Sequence, residues 1–354
     1  MNEHVGKPHI ASIAVAVPPF VIDQAQSLEH LLRRYGSRLK PRSLSLLRKL
    51  FDHPGIKKRY FAIDDVDAFF DEDPDRRITR FTSRSVELSE KAIVDAMAKA
   101  GLTADSVSAL IVNTCTGYIC PGISTYLIEK LGLRRDIKAY DLVGSGCGGA
   151  IPNLEVAEAL LNNTGEGTVL SVSVEICSAT FQMGDDLSLL ISNTLFGDGA
   201  AAAVIRNRPD GLELIDSASC YVPEDRDAIR YVHKNGQLHN KLSTSLDDLV
   251  RKAAAKVVAK LLEPRSLRAE DIKHWAIHTG GEKIINSVRN EIGLSETQLQ
   301  ATRQVLAEYG NMSSPTVWFV LNEIVKDGIE KGEWCIMVAF GAGLSAHAFL
   351  LRMS

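Results

Sequence analysis

Apolar residues in this chain fall into short runs separated by polar turns containing Gly and Pro, and strand-like runs alternate with helical spacing. That alternation predicts an α/β protein. Residues 10–17 are apolar and stop at Pro18-Pro19, which reads as a first strand rather than a secretory leader. Residues 107–113 form a further strand, followed by a helix over about 124–131 that Gly132 ends. Ile151, Leu154, Val156, Ala157, Leu160 and Leu161 recur at helical spacing within 150–161, and strands follow at 168–174 and 200–205. The second half repeats the order: a strand at 272–277, helices at 283–292 and 312–326, then strands at 334–340 and 346–351.

The register repeats as well. Thr114 ends the first repeat's strand and His278 ends the second's; the step from Thr114 to Cys147 equals the step from His278 to Asn311. Cys147 and Asn311 each sit in a Gly-containing turn just before a helix. The expectation is a duplicated α/β unit, with halves at 1–217 and 218–354 that meet at one central site.

Composition removes several classes of function. Lys+Arg 40 against Asp+Glu 44 gives a formal charge of -4, so a nucleic acid is not expected as partner. No apolar run approaches the roughly 20 residues that span a bilayer, so membrane insertion is not expected. Six cysteines in 354 residues, none in C-x-x-C spacing, suit neither a disulfide scaffold nor a metal site. A reducing cytoplasm is the expected location.

Three residues stand out chemically. Cys147, in Gly144-Ser-Gly-Cys-Gly-Gly-Ala150, has small neighbours that let a ligand approach the backbone, and a thiol at a helix N-terminus is favoured as thiolate. A small buried thiol at a tight turn is the plain alternative. His278 ends an apolar strand at a Gly-Gly turn. Asn311 by itself reads as a helix N-cap, supported by Pro315 near the helix start. Together, at matching places of a duplicated fold, a Cys nucleophile, a His and an amide donor make an acyl-transfer apparatus.

Gly146-Cys147-Gly-Gly-Ala150, Leu195-Phe196-Gly-Asp-Gly-Ala-Ala201 and Tyr309-Gly-Asn311-Met-Ser-Ser314 carry a specific resemblance, supported by His278-Thr-Gly-Gly281 and Phe340-Gly-Ala-Gly-Leu344. From Ile10 to Leu351 the chain resembles the type III polyketide synthases, the chalcone-synthase-like branch of the thiolase-fold condensing enzymes. The resemblance implies a thiolase-like duplicated αβαβα five-layer fold, a homodimer, and no resident cofactor. Acyl-CoA and malonyl-CoA would be substrates. Cys147 would hold the acyl chain, while His278 and Asn311 would bind the malonyl thioester carbonyl; Phe196 matches the gatekeeper between CoA tunnel and cavity.

The resemblance also implies a cavity lined by Cys115, Cys120, Cys177, Glu175, Ser313, Gly341 and Gly343. Chalcone synthases carry Thr, Met and Thr at 115, 120 and 177, and the residue at 120 reaches towards the partner's cavity, often before a cis proline. Lys49 and His53 match basic CoA contacts, whereas Lys57-Lys58-Arg59 reads as a solvated face. Thiols for hydroxyls make a less polar wall, which favours a fatty acyl-CoA starter and a pyrone or resorcinol product. A malonyl-only synthase making phloroglucinol or tetrahydroxynaphthalene, and an initiating β-ketoacyl-ACP synthase, are the alternatives.

Overall fold

The computed structural model describes residues 6–165 and 167–354. In the first half, β1 (His9–Ala16) is followed by β2 (Phe20–Asp23), α1 (Gln24–Tyr35), α2 (Pro41–Phe51), β3 (Lys58–Phe61), α3 (Val66–Phe69) and α4 (Pro74–Ala100). Then come β4 (Ala109–Asn113), α5 (Ile123–Lys130), β5 (Lys138–Leu142), α6 (Ala150–Thr164), β6 (Thr168–Glu175), α7 (Leu187–Leu195) and β7 (Gly199–Arg206). The second half runs β8 (Leu212–Tyr221), β9 (Ile229–Lys234), β10 (Gln237–Leu242), α8 (Leu246–Leu262), β11 (His274–Ile277) and α9 (Glu282–Ile292). It closes with α10 (Gln300–Tyr309), α11 (Thr316–Asp327), β12 (Trp334–Gly341) and β13 (Ser345–Met353).

Nine strands form one sheet in the order β11-β12-β13-β8-β1-β7-β6-β4-β5. Its two sides carry the same pairings. On one side β4 is parallel to β6, β6 antiparallel to β7 and β7 antiparallel to β1. On the other, β11 is parallel to β12, β12 antiparallel to β13 and β13 antiparallel to β8. The sides join through a short pairing of His9 and Ile10 with Glu213 and Leu212. The 217/218 division of the sequence falls inside β8, so the halves share an unbroken strand there.

Packing gives the five layers. Helices α6 and α11 lie between the two sides and touch strands of both, α4 covers the outer face of β1, β7 and β6, and α8 covers β8, β12 and β13. Strands buried on both faces read as continuous apolar runs. In β7, Ala201, Ala203 and Ile205 face the central layer, while Ala200, Ala202 and Val204 face α4. The largest differences from the predicted starts are that β4 begins at Ala109, β11 at His274 and α11 at Thr316, with Pro315 as its N-cap in place of Asn311. No helix among the described residues is long and apolar enough to cross a membrane.

Candidate active site

Cys147 sits in a single 3₁₀ turn, Gly146–Gly148, just before α6. Gly146 has φ +56°, outside the range comfortable for a side chain. Gly341, the last residue of β12, packs directly under this turn. A Cβ there would overlap the Ser145 carbonyl oxygen and lie 2.6 Å from the Gly148 nitrogen. Glycine at 341 is therefore what lets β12 support the cysteine turn so closely.

His278 follows β11, and its N–H donates to the Val338 carbonyl at 2.8 Å, continuing the strand pairing by one residue. The imidazole stands edge-on to Phe340 with ring centroids 5.1 Å apart. Its Nδ1 is buried without a partner among the described residues, and burial pushes the pKa down to about 3. Burial likewise pushes the Cys147 thiol up to about 12, with the Ser313 hydroxyl opposing the shift through a 3.2 Å hydrogen bond to Sγ. In this chamber, burial outweighs the helix-end effect expected from sequence.

Asn311 is held by the segment beside it. Its N–H donates to the Leu195 carbonyl at 2.9 Å, and the Gly197 N–H donates to the Asn311 carbonyl at 2.9 Å, a short bridge that pairs Phe196 with Asn311. The Ser313 N–H donates to Asn311 Oδ1 at 2.7 Å, with Ser313 at φ +60°. A backbone N–H only donates, so this contact fixes the amide orientation and leaves Nδ2 as a donor without a partner among the described residues. The turn at 312–315 makes this contact possible, whereas the sequence pattern predicts the first turn of a helix there.

Cys147, His278, Asn311, Phe196, Ser313 and Cys115 line one chamber of about 70 Å³. On one side it adjoins a space of about 490 Å³ that His53 and Gly55 border; Leu195 and Gly280 line both. On the other it adjoins a space of about 570 Å³, with Cys115, Gly146 and Tyr231 lining both. Cys115 Sγ lies 3.3 Å from Ser313 Oγ, so Ser313 stands between the two thiols. Gly343, φ +105°, and Ala342 border the larger space.

Other residues named from the sequence take different positions. Glu175 is fully buried behind the chamber wall. Its Oε2 accepts from the N–H groups of Cys115 (2.9 Å) and Thr116 (3.0 Å) and the hydroxyls of Thr114 (3.1 Å) and Thr116 (2.8 Å), and Oε1 from Ser314 Oγ at 2.6 Å. Burial raises its pKa, but five donors suit an ionised carboxylate that braces the 114–116 turn. Cys177 is buried in a separate cavity of about 30 Å³ that Phe196 also borders. Cys120 is exposed and precedes Pro121 across a cis bond. Lys49 is exposed on α2 outside the walls of these spaces. His53 Nε2 lies 3.3 Å from Glu282 Oε2, and both residues border the space on the Leu195 side of the chamber.

The basic run Lys57-Lys58-Arg59 suggests a solvated face, yet Arg59 is 2% exposed. Its Nη1 donates to the carbonyls of Phe196 and Asn193, both at 2.8 Å, and Nε donates to Gln24 Oε1 at 3.0 Å. Burial among neutral acceptors lowers its pKa to about 9. Arg59 thereby anchors the Phe196 end of the bridge that holds Asn311. The polar Gln24, two carbonyls and an Arg meet only in the fold, and no local pattern marks them.

A cysteine, a histidine and an amide donor line one chamber with an aromatic side chain, a set whose chemistry suits acyl transfer through a thioester. The sequence matches the family model described as FAE1/Type III polyketide synthase-like protein over residues 22–271. It also matches the C-terminal domain of chalcone and stilbene synthases over residues 213–354. The chain belongs to the type III polyketide synthases, acyltransferases that perform Claisen condensations. A 3,5-dihydroxyphenylacetyl-CoA synthase from Streptomyces toyocaensis is 29% identical over 321 residues, 86% of this chain and 82% of that protein. Among solved structures, PKS-I from the brown alga Ectocarpus siliculosus has a TM-score of 0.92 at 26% identity, covering 100% of both chains. The 1,3,6,8-tetrahydroxynaphthalene synthase of Streptomyces coelicolor A3(2) also has a TM-score of 0.92, at 25% identity over 98% of this chain and 99% of that one.

Proposed function

We propose that the protein condenses malonyl-CoA units onto an acyl group held on Cys147 and releases a cyclised polyketide. It would act as a homodimer, with CoA thioesters as its substrates and no resident cofactor. The observation that carries the reading is the meeting of Cys147, His278 and the free Nδ2 of Asn311 in one chamber.

Neither a thiolate nor an imidazolium is stable alone in that chamber, given the opposite shifts of Cys147 and His278. Proton transfer from Sγ to His278 makes both charges together, and their attraction offsets the burial of each. The thiolate attacks the starter thioester, and coenzyme A leaves with the proton. A malonyl-CoA carbonyl then accepts from Asn311 Nδ2 and His278, which stabilise the enolate left as carbon dioxide departs. The enolate carbon attacks the acyl-Cys147 thioester, the Cys147 C–S bond breaks, and the lengthened chain passes from CoA back to Cys147. Lys49 and His53 would meet the CoA end at the mouth that His53 borders. Phe196 would separate the two sides.

Of Cys115 and Cys177, the thiols that replace hydroxyls, only Cys115 lines the Cys147 chamber, which weakens the case for a long fatty acyl starter. Two similar proteins are named for hydroxylated aromatic products. A malonyl-derived hydroxylated aromatic is therefore the first reading. A fatty acyl starter leading to a pyrone or resorcinol is the second, supported by the size of the 570 Å³ space and by Ile78, Phe81 and Leu238 in its wall.

The homodimer rests on β5. Among the described strands this edge strand pairs only with β4, and Tyr140 on it, with Tyr118 and Val143 nearby, is exposed. An open edge with apolar side chains invites pairing with a second copy.

Intact-mass analysis after mixing with starter CoA tests the reading of Cys147. An acyl adduct on the native protein, lost in Cys147→Ala, is expected; adducts equal in both proteins would contradict it.

A further inference from the structure

Past Cys115 and Gly146, the larger space is bordered by Arg77, Arg226, Arg230 and His233, and no Asp or Glu side chain among the described residues lines it. We propose that this space recognises an acyl chain whose far end carries a carboxylate, with Arg77 as the inner cation and Arg230 at the neck it shares with the Cys147 chamber. The proposal rests on the reading of Cys147 as the acyl carrier and adds the chemical class of chain it holds.

Arg77 is 4% exposed, and its hydrogen bonds go to two neutral acceptors, the carbonyls of Asp71 and Phe181. Arg80 beside it also bonds only carbonyls, those of Ala68 and Ser178, and its Nε is buried without a partner among the described residues. The nearby carboxylates are otherwise engaged. Asp71 pairs with Arg76, Glu72 accepts from the Tyr35 hydroxyl, Asp73 caps α4, and Asp198 accepts from Ala62 and Ser178. Arg230 pairs with Asp227, but both side chains are about half exposed or more, where such a pair contributes little. Pro74, at the first turn of the 27-residue α4, also borders the space, and the positive end of that helix is already met by the Asp73 cap and Asp75. His239 reports the same field: after burial, Lys234, Lys241 and Arg77 hold its pKa down.

A plain alkyl chain placed here would further desolvate a guanidinium that hydrogen-bonds to no carboxylate and feels Glu72 and Asp71 only through space, which is costly. A terminal carboxylate would instead meet a planar fork of donors, the pairing for which Arg is best shaped. A starter such as malonyl, or a longer dicarboxylic monothioester, meets that requirement.

The test compares glutaryl-CoA with its uncharged isostere 5-methylhexanoyl-CoA as starters, with malonyl-CoA as extender. A charge-assisted hydrogen bond corresponds to roughly tenfold or more in kcat/KM, so the native protein should favour glutaryl by about that factor. Arg77→Gln should bring the ratio to about 1 mainly by slowing glutaryl, and Arg77→Lys should restore part of it. Should buried Arg77→Gln fail to fold, Arg230→Gln at the exposed neck is expected to lower the ratio severalfold. Equal rates for both starters in the native protein, or an unchanged ratio in a folded Arg77→Gln, would overturn the proposal. Acylation of Cys147 without charge discrimination removes this proposal alone; no acylation by any CoA removes the reading of Cys147, and this proposal with it.

Discussion

The backbone N–H of Ser313 donates to Oδ1 of Asn311 at 2.7 Å, and this single contact decides which end of the amide is free for chemistry. Asn311→Ala removes the Nδ2 donor and leaves Cys147, His278 and Phe196 in place. Loss of one oxyanion donor typically costs about 10²–10³ in rate. Decarboxylation of malonyl-CoA is expected to fall by that factor while starter acylation of Cys147 persists. Loss of acylation in this variant would contradict the division of roles.

In the proposed mechanism His278 takes the Cys147 proton. In His278→Ala the thiol keeps its burial and loses its proton acceptor, so its apparent pKa moves further above the ordinary thiol range. The pH profile of iodoacetamide alkylation at Cys147 should therefore shift to higher pH in the variant. Superimposable profiles would show that His278 does not govern the thiol.

The two glycines of the 341–343 segment should respond differently to alanine. At 341 a methyl group collides with the backbone of the cysteine turn, so Gly341→Ala should lose at least tenfold in acylation rate. At 343 the nearest atom to an added Cβ is 3.9 Å away, and the cost lies in φ +105°. Gly343→Ala should lose about 1–2 kcal/mol of stability in urea unfolding with acylation nearly intact. Gly341→Ala acylating at the native rate would refute the supporting role given to β12.

A second buried histidine, His347, packed against Gly148 of the cysteine turn, sets an acid limit on stability. His347 is fully buried, Nδ1 lies 2.7 Å from Ser219 Oγ, Nε2 has no partner among the described residues, and burial lowers the pKa to about 4. Its unfolded value is near 6.5, so below that pH the unfolded chain takes up a proton that the folded chain refuses. The contribution is complete above pH 6.5 and is lost as pH falls towards 4, about 2 kcal/mol of it by pH 5. His278 adds a loss of the same sign. Urea midpoints at pH 7.5 and 5.0 should converge partly in His347→Gln; an identical drop in variant and native protein would count against this.

Much of the fold is legible in the sequence because its strands are buried on both faces. The runs at 168–174 and 200–205 stand out for that reason, and the equal steps from Thr114 to Cys147 and from His278 to Asn311 expose the repeat. Helices such as α4 and α8, and strands β8 to β10, mix polar residues into their apolar pattern and pass unassigned. Cys147, His278 and Asn311 are readable because each lies beside a glycine turn at the end of a predicted strand or just before a helix. The depth of Cys177, the exposure of Cys120 and the burial of Arg59 depend on which distant segments pack against them. Arg59 illustrates the limit: two lysines precede it at the surface, while its own side chain turns inward to the Phe196 carbonyl.

On the proposed mechanism, Cys147 carries a growing chain made from malonyl-CoA. The most direct measurement is incubation of the purified protein with labelled malonyl-CoA, alone and with acetyl-, hexanoyl-, lauroyl-, palmitoyl- and coumaroyl-CoA, read by mass spectrometry beside Cys147→Ala. Cyclised products with label from malonyl-CoA alone, absent in the variant, are expected. Product formation that persists in Cys147→Ala, or condensation only when malonyl-ACP replaces malonyl-CoA, would contradict the account.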